Sequence, residues 1–135
     1  MENKRAHLQM LQSVITRMST DSFLLRGWSV FLVSALFALA ASGSQELFVY
    51  LAYFPAIAFW LLDAYYLRQE RLFRKLYDRV RTQDEADVDF SMDTSVVEKE
   101  VDSWAGVAFS ATLRIFHGTV IGSILVVMLV LMLVN

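Results

Sequence analysis

The chain has 135 residues, of which 56% are hydrophobic and only 19% charged, and its mean hydropathy is +0.46. A soluble domain carries about 25% charged and about 45–50% apolar residues, so a single water-soluble core is excluded. Twelve Lys and Arg against 14 Asp and Glu exclude a generally basic nucleic-acid binder, and the lack of cysteine excludes disulfides, thiolate metal sites and thiol nucleophiles.

Residues 1–21 open the chain with Leu8, Leu11, Ile15 and Met18 spaced 3, 4 and 3 apart, an apolar helical seam. An amphipathic helix is expected there, lying on the membrane surface or packed on a partner helix. Ser19, Thr20, Asp21 and Ser22 form a breaker and N-cap cluster, so a new helix is expected to start near Ser22. The run Gly27–Gln45 then holds 19 residues without Asp, Glu, Lys or Arg. A polar lead of about 26 residues before a run of this length does not fit a cleaved signal peptide, although Ala38-Leu39-Ala40 has the small residues of a cleavage site. A turn is expected over Ser42–Glu46, followed by the 16 uncharged residues Leu47–Leu62. Together, residues 22–66 read as a transmembrane hairpin. Pro55 is tolerated inside such a helix, and the helical period continues to Arg81.

Residues 67–102 read as a cytoplasmic helical stalk and acidic connector. Arg68, Arg71, Arg74, Lys75, Arg79 and Arg81 oppose Glu70 and Asp78, for a net +4, whereas residues 83–102 hold eight acids against Lys99. Ser95 and Glu98 have the spacing of a capping box, which predicts a helix start near Thr94 or Ser95. A bend is expected near Gly106, and the 21 residues Ile115–Asn135 again lack Asp, Glu, Lys and Arg. Residues 103–135 therefore read as a third transmembrane helix. The fold class expected is all-α, an integral membrane protein with three transmembrane helices, an N-terminal amphipathic helix and a cytoplasmic helical extension. Positive charge flanks the hairpin on its open side and is absent from its turn, which predicts N-terminus in and C-terminus out in a bacterial inner membrane.

Arg26 and Asp63 fall near the same ends of adjacent antiparallel helices. An ionisable residue there is costly unless paired or facing water. The pairing expected is a hairpin ion pair, and the competing reading makes Asp63 part of a proton or ion path. Gly118 and Gly122 form a small-xxx-small pair, repeated by Ser34, Ala38 and Ser42 on the first span and by Ala52 with Ala56 on the second; such pairs let helix backbones approach, within the chain or between copies. Arg68, Arg71, Arg74 and Lys75 are candidates for contact with lipid headgroups or a phosphate-bearing signal, beside their ordinary part in setting topology. Asp87, Asp89, Ser91, Asp93, Ser95 and Glu98 have the spacing of a calcium loop, yet Met92 stands where the loop needs glycine. A solvated acidic connector is expected instead, with no metal and no cofactor. His117 is expected to make an interfacial hydrogen bond near Arg114. No catalytic constellation is recognisable, so an enzyme is not expected.

The stretch Phe59–Arg81, FWLLDAYYLRQERLFRKLYDRVR, together with Arg17-Met18 and Gly27-Trp28, resembles a family of small uncharacterised bacterial three-span membrane proteins. In layout alone the chain is similar to the two-span SLATT-type effectors of antiphage systems, from which the third span departs. That likeness implies a homo-oligomeric membrane-disrupting or pore-forming effector in phage defence. The residues leave two other readings open: a membrane anchor or adaptor recruiting a cytoplasmic partner enzyme through residues 67–102, or a small ion-handling transporter subunit centred on Asp63. The expected partners are the lipid bilayer and further copies of the chain, with no nucleic acid.

Overall fold

The computed structural model describes residues 2–43 and 47–134, and every regular element among them is helical. Helix α1 spans Glu2–Gly43, α2 spans Leu47–Arg81, the short α3 spans Trp104–Ala108 and α4 spans Ala111–Val134. Two 3-10 segments, Glu85–Asp87 and Thr94–Glu100, lie between α2 and α3. Three of these helices, α1, α2 and α4, are long and apolar enough to cross a membrane. Residues Ser44, Gln45 and Glu46 of the expected turn, and Asn135, lie outside the described residues.

The 42 residues of α1 extend about 63 Å and the 35 of α2 about 50 Å, against a hydrocarbon layer of about 30 Å. The two therefore pair well beyond one bilayer thickness, and the core changes character along them. In the membrane half it is built from small side chains, with Val33, Ala40, Val49, Ala52 and Ala56 buried together with Ile124 of α4. Small residues let backbones approach where no water drives association. In the outer half the cluster is Leu11, Leu72, Leu76, Val80 and Val97, the larger side chains that a water-facing core requires. We call this outer half the rod.

Several sequence expectations are corrected here. No helix boundary falls at Ser19–Ser22; α1 runs through it. The reason is tertiary, since Leu11 and Ile15 are buried on one side of the cluster and Ser22 bonds α2 on the other, so packing outweighs local capping preference. No α-helix starts at Thr94 or Ser95. Asp93 caps the 3-10 segment there by accepting from the Ser95 N–H at 3.0 Å, which holds its carboxyl below the ordinary carboxylate range. That cap stabilises the segment above the ordinary range and is lost as pH falls through the lowered value. The last helical stretch begins instead at Trp104, capped by Ser103, and its break comes at Phe109–Ser110 rather than at Gly106.

The acidic connector also clasps the rod. The Glu85 carboxylate accepts from the first N–H groups of α1, Asn3 at 2.9 Å and Lys4 at 3.2 Å, where a helix N-terminus favours an anion. His7 Nε2 meets the Ser91 carbonyl at 2.8 Å, and its ring lies on Phe90, whose φ of 57° is left-handed. Such a φ is uncommon for a bulky residue; the Glu85 contacts before it and those of Ser91 and Val97 after it hold the connector on both sides.

Leu11→Ala should destabilise the folded chain by about 2–5 kcal/mol, read as a lower midpoint of thermal unfolding in detergent. Gln9→Ala, on the exposed side of α1, should leave that midpoint in place; equal shifts for the two would mean that the rod is not packed as described.

Candidate functional site: a carboxylate shared by three membrane helices

Asp63 is fully buried in α2. Its neighbours come from both other long helices. Ser22, in α1, donates its hydroxyl to Oδ1. Arg26, one turn further along α1, donates Nε to Oδ2 at 2.8 Å, and His117 of α4 meets the same oxygen through Nε2 at 2.7 Å. A carboxylate only accepts, so Nε2 carries the imidazole hydrogen. Ser22 and Arg26 stand four residues apart and share a helix face, which is why one α1 helix supplies both donors.

Aromatic side chains close the cluster. Trp60, nearly a turn before Asp63, stacks on His117 with centroids 6.4 Å apart and planes at 22°. Phe116 meets His117 edge-on at 4.9 Å and lies 6.0 Å from the Arg26 guanidinium carbon, within cation–π range. The indole N–H groups pin the α3 segment: Trp60 donates to the Ala108 carbonyl at 2.9 Å and Trp104 to the Leu61 carbonyl at 3.3 Å. His117 is buried and its Nδ1 has no partner among the described residues, and neither does the Ser29 hydroxyl.

Chemically, the arrangement holds a charge rather than offering one. Both Asp63 oxygens are occupied, one by a hydroxyl and one by two nitrogen donors. The three long helices are thereby tied at a single level. A buried carboxylate is costly unless it is paired and hydrogen-bonded, and this one is both.

The other candidates separate. Gly118 and Gly122 lie away from the internal packing of α4, and a Cβ added at either meets nothing within 4 Å among the described residues. Within the chain the close approach uses Ala52 and Ala56 instead, both fully buried. Ser34 lines a groove between α1 and α4, and Ala38 is exposed. Three of the four basic candidates, Arg71, Arg74 and Lys75, border one cleft of about 280 Å³ with Asp78, Glu100, Val101 and Asp102. Arg74 also pairs with Glu70 at 2.9 Å, and Arg68, outside that lining, donates to the Asp102 carbonyl at 3.1 Å with Glu98 at 3.9 Å. Asp89 and Asp93 are turned to local backbone N–H groups, and among the described residues no three His, Asp or Glu side chains converge as a metal would need.

Reading the residues alone paired Arg26 with Asp63 but missed Ser22 and placed His117 near Arg114. The available signal was position, since Arg26 and Asp63 each border an uncharged run and His117 is the third residue of another. Scanned against protein-family models, curated proteins and solved structures, the chain matches none.

In a double-mutant cycle of Asp63→Asn and His117→Ala, the two changes should couple by about 0.5–3 kcal/mol, measured by unfolding in mixed micelles. Additivity within about 0.3 kcal/mol would separate α4 from the cluster.

Proposed function

We propose that the protein is a homo-oligomeric membrane effector, non-enzymatic, whose copies associate through α4 and open the bilayer when the rod is engaged. Its setting is a bacterial inner membrane with the N-terminus and rod in the cytoplasm and the C-terminus outside, in keeping with the basic residues flanking the hairpin. Phage defence is the role that the layout suggests.

One observation carries this reading: the outward face of α4. Gly118 is exposed there and Gly122 half-buried, with open space beyond each. A helix that met only lipid would gain nothing from glycines, which cost about 1 kcal/mol each relative to alanine in a helix interior. Against a second backbone the same two positions allow close packing. Thr119 and Ser123 bond their hydroxyls to the Ile115 and Thr119 carbonyls at 2.6 and 2.8 Å and face the groove toward α1, which leaves the two glycines as the close-approach positions. The occupied oxygens of Asp63 favour a structural carboxylate over an ion relay.

A second reading, an anchor that recruits a cytoplasmic enzyme through residues 67–102, is favoured by the cleft beside Arg71 and Lys75.

Mass photometry of the protein in lipid discs should give several copies per particle, and its expression in bacteria should admit a membrane-impermeant dye. Gly118→Leu combined with Gly122→Leu should yield single copies and return dye entry to the level of cells without the protein. A wild-type monomer that admits no dye and co-purifies with a soluble enzyme would replace the effector by the anchor.

A further inference from the structure

Helices α1 and α4 both rest on α2 and touch each other only sparingly. Between them lies a groove of about 490 Å³, walled by Val30, Ser34 and Phe37 from α1 and by Phe116, Thr119 and Ser123 from α4. Arg26 stands at its foot, one turn before Val30, with its guanidinium carbon 6.0 Å from the ring centre of Phe116. Only Nε of that guanidinium is committed, to Asp63. Among the described residues no hydrogen bond holds its two terminal amino groups, and the side chain keeps 26% of its surface exposed.

We propose that this groove binds one acyl chain of an anionic membrane phospholipid, with the phosphate held by the terminal amino groups of Arg26. Length, width and charge agree on that occupant. From Arg26 to Phe37 the helix rises about 16 Å, which is about half of a 30 Å hydrocarbon layer and so one leaflet. The volume of about 490 Å³ spread over that length gives a cross-section of about 30 Å², whereas a helix of about 10–12 Å diameter needs about 80–110 Å². A single hydrocarbon chain fits where a helix from a second copy does not. The Thr119 and Ser123 hydroxyls are bonded to their own helix, and most of the remaining wall is Val, Ile and Phe. Trp28, two residues beyond Arg26, belongs to the aromatic level at which headgroups lie. Arginine forks suit phosphate, and Asp63 holds this one in place by Nε alone. Gly118 and Gly122 are not part of the groove, so the site stands apart from self-association.

The full-length protein, delipidated in detergent, is titrated with dioleoylphosphatidylglycerol or dioleoylphosphatidylcholine and its bound lipid counted by native mass spectrometry. The wild type should retain one lipid per chain and prefer the anionic headgroup by about tenfold. Ser34→Leu with Ser123→Leu fills the groove without touching the Asp63 cluster; it should keep helix content and unfolding midpoint and lose the bound lipid by at least about tenfold. Arg26→Gln should bind both lipids equally. Retention of lipid by the folded groove-filled chain, or a wild type with no headgroup preference, would overturn the proposal. Should Arg26→Gln fail to fold, the wild-type preference and the groove-filled chain still decide it.

Discussion

A carboxylate placed among membrane helices must find its partners inside the protein, because hydrocarbon offers none. Asp63 finds three, and they come from two other helices. That requirement fixes the rotation of α1, which must present Ser22 and Arg26 together, and the depth of α4, which must bring His117 level with them. Trp60 then covers the imidazole and, through its indole N–H, holds the end of α3 where the chain turns into α4. Much of the bundle's geometry thus follows from one charge.

The same two helices are held by different physics along their length. Inside the bilayer, apolar side chains gain nothing by leaving lipid for protein, so contact rests on close approach, and Ala52 and Ala56 supply it. Beyond the bilayer, water restores the hydrophobic effect and the contact becomes Leu11, Leu72, Leu76 and Val80. The connector follows the second regime. Its Val97 joins the leucine cluster, while Glu85 and Ser91 reach back to the start of α1. A stretch with eight acids is therefore a clasp rather than a free loop: Glu85 meets helix N–H groups, Asp89 and Asp93 cap local turns, and Glu98 lies beside Arg68.

Three features of the outer surface are lined by different residues. The glycine face of α4 looks away from the bundle, the groove between α1 and α4 opens beside it, and the rod carries Arg71 and Lys75 opposite Glu100 and Asp102. Both oxygens of the buried Asp63 are occupied, so the proposed assembly rests on the outward faces and not on that cluster.

What the sequence by itself determined is the class of object: three uncharged runs too long for a soluble core, an all-helical chain, α2 continuing past the membrane to Arg81, and a pairing of Arg26 with Asp63. These are properties of composition and local period, which a linear reading carries. What only the tertiary structure decided is whatever depends on contacts between distant segments. The Ser19–Ser22 cluster reads locally as a helix boundary, yet Leu11 packs on Leu72, Leu76 and Val80, Ser22 bonds Asp63, and the helix runs through. Ser95 and Glu98 read as a cap, yet Val97 is drawn into the rod and Asp93 does the capping. Ser22 and His117 join Asp63 across 41 and 54 residues of chain, a separation over which no sequence period reaches. Local preferences are worth about 1 kcal/mol, whereas a buried charge or a leucine core is worth several, so the distant contacts prevail.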